Sequence, residues 1–213
     1  MHRAKDTARE IVRVAIDNYP NRTGNGERIA ERFSVISGFS HESSKGMSGA
    51  VSESSVKLIN EAIMSGKIRG IAALMGSDNP RVQATGVHKY IARELINDDV
   101  LVLTTECGAA ACAASGLLNP ETALDSTGAN LRKACEEIGI PPILSLGGSA
   151  DNSRILTMLS AMASEGGISD EISGIPAVII APEWLTEREL SIACCFAASG
   201  IPVILGGTSP VES

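Results

Sequence analysis

Aromatic side chains are scarce in this chain of 213 residues, which has three Phe, two Tyr and one Trp. With 44% hydrophobic residues, its core must be built from Ala, Val, Ile, Leu and Met, the composition of parallel strands covered on both faces by helices. Clustered basic residues are missing as well. The formal net charge is −7 and the pI is near 5.0, with no basic stripe and no interleaving of aromatic and basic residues. A phosphate backbone selects for those features, so nucleic acid is excluded as the expected partner. No apolar run is long enough to span a bilayer, and the Met1-His2-Arg3 start lacks the apolar core of a signal peptide. The expectation is a cytoplasmic protein without a membrane partner. No Cys-x-x-Cys occurs, which weakens zinc and simple ferredoxin-type readings. Five irregularly spaced cysteines do not make a disulfide framework. Also missing are Gly-x-Gly-x-x-Gly and Gly-x-x-x-x-Gly-Lys-Ser/Thr, the two common glycine-rich phosphate loops.

A regular alternation of apolar runs and helical stretches is present. Lys5 to Ala15 reads as an amphipathic helix with Ala8, Ile11, Val12 and Ala15 along one face. A turn-rich loop follows from Asn18, and residues 43–55, with six serines and two glycines, read as a further loop. Ser55 is placed to cap a helix from Val56 to Ser65 that ends at Gly66. Strands are expected at Ile71–Met75, Val100–Thr104, Ile143–Leu146, Ala177–Ile180 and Val203–Leu205. The intervening helices are expected at Val82–Ile96, Ala109–Leu117 with Glu121–Ile138, Asn152–Ser164 and Glu183–Ser199. This pattern predicts an α/β fold: a doubly wound, mainly parallel, Rossmann-like sheet flanked by helices over residues 56–213, after an N-terminal helix and loop segment at 1–55.

In such sheets ligands collect outside the carboxyl ends of the strands. Three loops fall there: one with Gly76 and Ser77, one with Glu106 and Cys107, and one running from Gly147 through Ser149 to Arg154. Gly147-Gly148-Ser149 could cradle an anion at a helix start; the simpler reading is a tight turn with Asp151 or Ser153 as cap. Cys107, after a strand and near a helix start, is in a setting that lowers a thiol pKa. No histidine among His2, His41 and His88 lies in a motif that marks it as a base for it. Cys112 and Cys135 read as small core residues, and at least one of Cys194 and Cys195 should be core. From residue types alone, a structural role is the better reading for each cysteine. Asp98-Asp99 and Glu136-Glu137 read as solvated helix ends, and Glu183 as a first-turn carboxylate favoured by the helix dipole.

Taken in order, several segments resemble one family, the catalytic subunit of nickel-dependent, anaerobic carbon monoxide dehydrogenase. They are Ala8 to Val12 with Asn21-Arg22, Gly38-Phe39-Ser40, Ser65 to Ile71, Gly76 to Pro80, Leu101 to Cys107, and Gly139 to Pro142. Asp151 to Ile155, Ala181-Pro182-Glu183-Trp184 and Ala198-Ser199-Gly200 complete the series. The family enzyme is much longer, and this chain resembles only its last Rossmann-like domain. The resemblance implies a nickel–iron–sulfur cluster and the oxidation of CO with water to CO2, two protons and two electrons. It also implies four cluster cysteines from this domain, and matching motif to motif they fall on Ser77, Cys107, Ser149 and Cys194, with Cys195 one residue away. Glu106 stands where the family has glycine, and Ser145 where it has histidine.

Two of the four thiols are thus replaced by neutral hydroxyls, which removes charge as well as affinity for iron and nickel. The expected metal ligands are Cys107 and Cys194, with Ser77 and Ser149 at the substituted cluster positions. The leading expectation is a stand-alone, diverged domain that keeps the sheet and pocket without oxidising CO alone. A second is one subunit of a split dehydrogenase, whose partner chain supplies the N-terminal cluster-binding region, or a homo-oligomer. A third is a small-ligand module binding at Gly147 to Ser153.

Overall fold

A computed structural model describes residues 2–22, 34–39, 53–77 and 86–206. The expected serine-rich loop falls almost wholly outside these residues, as do Asp78 to Pro80 and the first turn of the helix expected from Val82. The chain divides into two compact units, Met1–Arg32 and Phe33–Ser213. The first holds helix α1, His2–Asn18, and a 3-10 turn at Tyr19–Asn21. Arg22 lies over the Tyr19 ring at 4.0 Å from its centre.

The second unit is built on five parallel strands: β1 Gly70–Leu74, β2 Val100–Thr105, β3 Ile143–Gly147, β4 Ala177–Ala181 and β5 Val203–Leu205. Their order in the sheet is β3-β2-β1-β4-β5. The helices are α2 Glu53–Met64, α3 Val87–Asn97, α4 Glu106–Ala114, α5 Pro120–Asp125, α6 Ala129–Ile138, α7 Ser153–Glu165 and α8 Glu187–Ala198. The parallel, helix-flanked sheet expected from the alternating runs is the observed fold. Every residue of β1 is buried, and Ile71, Leu74, Leu101, Leu103, Ile143, Leu159 and Phe196 are among the side chains of one continuous core. Ile, Leu, Val and Ala pack such a sheet between helices without any large aromatic contribution.

Element boundaries moved where turn chemistry overrides the apolar pattern. The long helical stretch expected from Glu121 to Ile138 is interrupted. Asn119 caps α5 by accepting from the Glu121 and Thr122 N–H groups, with Pro120 in the first turn. Gly128 then starts α6. Helix α8 begins at Glu187 rather than Glu183, so Glu183 lies in the loop after β4 instead of in a helical first turn. That loop is held out of helical geometry by backbone bonds in which the Ser77 N–H donates to the Trp184 carbonyl (2.9 Å) and the Trp184 N–H to the Ser77 carbonyl (3.2 Å).

Residues 34–39 form no regular element, yet they are tied to the sheet. The Gly38 and Phe39 N–H groups both donate to the Ser145 carbonyl at 3.0 Å, Ile36 N–H donates to the Leu118 carbonyl, and Phe39 is buried. The hydroxyls of Ser37 and Ser145 lie 2.8 Å apart. Ser145 on β3 is therefore committed to anchoring this segment.

Asp99 is not a merely solvated helix end. Its carboxylate accepts from the N–H groups of Asn130 (3.1 Å) and Leu131 (2.9 Å), capping α6 from a turn more than thirty residues earlier. Its backbone is left-handed, with φ of 61°, a conformation that Asn shares more readily than Ala. Asp99→Ala is expected to lower unfolding stability by about 1–2 kcal/mol in urea titrations, and Asp99→Asn by well under half of that.

Candidate strand-end site

The strand order sets the location. From β1 the chain builds outward through β2 to β3, then returns to place β4 on the other side of β1. The crevice outside the carboxyl ends of β1 and β4 is the switch point of the sheet, where ligands bind in folds of this kind. Ser77 follows β1, Glu106 and Cys107 follow β2, Ser149 follows β3, and α8 closes the side beyond β4.

Gly76 makes the turn out of β1 possible. Its φ of 101° suits glycine, and a Cβ there would lie 2.8 Å from the Trp184 carbonyl oxygen. The two backbone bonds between Ser77 and Trp184 follow directly from this approach. They fix Ser77 so that its Oγ donates to Glu189, at 3.4 Å from Oε1 and 3.5 Å from Oε2.

Glu189 is completely buried, which is unusual for a carboxylate. A capping box holds it: the Thr186 N–H donates to Glu189 Oε2 at 2.7 Å, and the Glu189 N–H donates to Thr186 Oγ1 at 3.4 Å. Glu189, Ala193 and Phe196 make the buried face of α8. The spacing Thr186-x-x-Glu189 was the one sequence signal that could have revealed this carboxylate, whereas the sequence reading singled out Glu183.

Glu106, at the end of β2, interacts with Glu189. Glu106 opens α4 with φ of 46°, left-handed backbone that favours glycine. Burial pushes its carboxyl above the ordinary carboxylate range, and contact with Glu189 adds to the rise; Ser149 and the charge of Arg188 pull the other way. Glu106 Oε2 is buried with no hydrogen-bond partner among the described residues. Ser149, Thr186, Glu187 and Arg188 line an open cleft of about 470 Å³ beside this pair.

Three of the four expected positions thus converge on one edge, Ser77 and Ser149 through Glu189 and Glu106, and Cys107 beside Glu106. Cys107 is half-buried at the start of α4. Cys194 does not share the buried face of α8. It is exposed about two turns into the helix, past the Thr186–Arg188 rim of the cleft. Cys195 is exposed too, which corrects the expectation that one of the pair is core: the helical period puts Ala193 and Phe196 inward instead. Cys112 and Cys135 are buried as expected, and burial pushes both thiols up to about 12.

The turn at Gly147 to Ser153 is held from within. Asp151 Oδ2 accepts from the Gly148 N–H at 2.9 Å, and Asp151 pairs with Arg154 at 3.1 Å. Asp151 thus acts as the local cap anticipated for this turn. The Thr105 hydroxyl donates to the buried Asn152 side chain, joining β2 to the same turn. Among the described residues, no three His, Cys, Asp or Glu side chains gather in a group that could hold a metal ion. Likewise, no described helix is long and apolar enough to cross a membrane.

The sequence model of the Prismane/CO dehydrogenase family matches residues 1–213. A carbon monoxide dehydrogenase of Methanosarcina mazei is 43% identical over 98% of this chain and 32% of its own length. One of Rhodospirillum rubrum is 30% identical over 99% of this chain and 34% of its own. Among solved structures, a nickel-free carbon monoxide dehydrogenase of Thermococcus sp. AM4 superposes with a TM-score of 0.83 at 40% identity, covering 98% of this chain and 32% of that one. The chain therefore spans about a third of the length of the relatives it matches. The resemblance drawn from the ordered motifs is borne out along the whole chain.

Two measurements check this site. In folded protein, Cys194 and Cys195 are expected to react first with a disulfide reagent, Cys107 more slowly, and Cys112 and Cys135 only on unfolding; early labelling of Cys112 would contradict the burial described. The raised Glu106 carboxyl means that the folded chain binds more protons than the unfolded chain from 4.5 upward to its folded value. Stability attributable to this group is therefore fully present at lower pH and is lost as pH rises through that interval. Glu106→Gln should remove this decline in urea titrations repeated across pH, while an unchanged pH profile would refute the assignment.

Proposed function

Because this chain belongs to the Prismane/CO dehydrogenase family, we propose that it is a diverged carbon monoxide dehydrogenase-type domain. It keeps the parallel sheet and the strand-end crevice but does not oxidise CO by itself. The observation that carries this reading is the Ser77 hydroxyl bound to the buried Glu189. At the position where the family motif calls for a thiolate, there is instead a neutral hydroxyl committed to an anion. The nickel–iron–sulfur cluster that the family implies needs soft, charged thiolates on its irons. The residues at this edge are two hydroxyls, two carboxyl groups and Cys107, with the thiol of Cys194 exposed farther along α8. That hard, oxygen-rich set does not fit the cluster.

A second reading is one subunit of a split dehydrogenase, supported by the thiol kept at the strand end. Its partner would carry the remaining ligands, and Cys107, half-buried at the strand end, would be the contribution of this chain.

One oxygen-free preparation separates the two readings. Protein reconstituted with iron, sulfide and nickel is assayed for metal content and for CO-dependent reduction of a dye. The diverged-domain reading expects a colourless protein with no CO-dependent rate above the metal-only control. Turnover by the isolated chain would overturn it. A brown protein that is inactive alone and bleached by Cys107→Ala would favour the split enzyme.

A further inference from the structure

We propose that residues 34–39 are an edge guard: a strap on the outer side of β3 that keeps this strand from pairing with β3 of a second copy of the chain. The proposal goes beyond the diverged-domain reading and does not depend on whether the strand-end site holds a cluster.

The sheet ends in two edge strands, β3 and β5. An edge strand offers N–H and C=O groups to any other strand, and short strands or covering loops blunt that hazard. β5 is the short one, Val203–Leu205, entered from Pro202. β3 runs from Ile143 to Gly147 without a charged residue, and its Ile143, Leu144 and Leu146 are apolar and buried. Of the two, β3 is the strand that calls for a cover.

The strand register says which groups the cover must reach. Val102 pairs with Ile143, and the Val102 N–H donates to the Pro142 carbonyl at 3.0 Å. Successive residues of a strand point their main-chain groups to opposite sides, so Leu144 faces β2 while Ile143 and Ser145 face outward. The strap takes the outward carbonyl of Ser145, to which the Gly38 and Phe39 N–H groups both donate at 3.0 Å. The Ser37 and Ser145 hydroxyls add a side-chain tie, Ile36 N–H holds the Leu118 carbonyl at 3.0 Å, and Phe39 joins the core. Gly38, with φ of 91°, turns the strap out of extended geometry, so the guard does not become a new edge itself.

Without the strap, two β3 edges fit each other. When they run antiparallel about a twofold axis at Leu144, Ile143 of each copy exchanges N–H···O=C bonds with Ser145 of the other. One patch serves both partners, and the two sheets join into one. The strap and the second copy therefore compete for the same Ser145 carbonyl.

The test weakens the strap from its backbone. Gly38→Pro removes one of the two N–H donors to Ser145 and cannot adopt the positive φ. A Cβ at residue 38 meets no atom within 4 Å, so no clash confuses the result. Adding Ser145→Pro removes the outward N–H that the second copy needs, a change that edge strands tolerate. Wild type, Gly38→Pro and the double variant are compared as full chains under reducing conditions. Light scattering gives their mass across a concentration series, and hydrogen exchange is followed in peptides covering 34–39 and 143–147.

Gly38→Pro is expected to double its mass relative to wild type, at a concentration about tenfold or more below any at which wild type does so. Residues 34–39 should lose protection and 143–147 keep or gain it in the associated form, and the double variant should return to the wild-type mass. A folded chain with the strap released that stays at the wild-type mass overturns the proposal. Association that survives Ser145→Pro overturns it too, because another surface would be responsible. If 34–39 keeps its protection in Gly38→Pro, Phe39→Ser is added to release it, and the same outcomes decide. If circular dichroism shows Gly38→Pro unfolded, Ile36→Pro, which removes the tie to Leu118, takes its place. No metal enters these measurements, so their failure is distinct from failure of the diverged-domain reading.

Discussion

The strand-end chemistry depends on the pairing of β1 with a parallel strand on each side, β2 and β4. That arrangement makes β1 the fully buried centre of the sheet and leaves its last residues facing the switch point. Gly76 turns the chain there, and Ser77 and Trp184 lock the two sides of the crevice together through main-chain bonds. Once Trp184 is held, the chain from β4 enters α8 at Thr186, and the capping box carries Glu189 inward. The position of a buried anion is thus a consequence of how two neighbouring strands end.

The opposing side is set by β2. Its last residue, Thr105, bonds the buried Asn152 at the turn after β3, so the Glu106 and Ser149 loops are held as neighbours. Glu106 must then accommodate an unfavourable backbone angle and a carboxylate neighbour together. Local costs of this kind persist in proteins where the scaffold around them is more stable than the site itself. The continuous aliphatic core beneath the site is such a scaffold.

The fold was largely legible in the sequence for a physical reason. Strands buried on both faces must be apolar along their whole length, and helices between them must reach from one strand end to the next. All five runs therefore announced themselves, Val203–Leu205 to the residue. The site was legible only as a set of loops. Ser77, Cys107 and Ser149 could be placed at one edge because topology alone does that. Glu189 was signalled only as part of a capping box, since its contact at this edge is Ser77, more than a hundred residues away. The inward turn of Ala193 and Phe196 at the expense of Cys194 and Cys195 is likewise decided by the phase at which α8 starts. That phase follows from the Trp184 loop, not from the apolar content of the helix. Asp99 and Ser145 were obscured in the same way: one caps a distant helix and the other ties down a distant segment.

The bridge between Ser77 and Trp184 uses backbone atoms only. Any residue with an N–H and a carbonyl can make it, and the glycine before it tolerates no side chain whichever residue follows. The architecture of the crevice is consequently indifferent to what is attached at position 77. A lineage could exchange one functional group for another at this point without passing through an unfolded intermediate. The backbone frame of the crevice would keep its shape whichever group stood there.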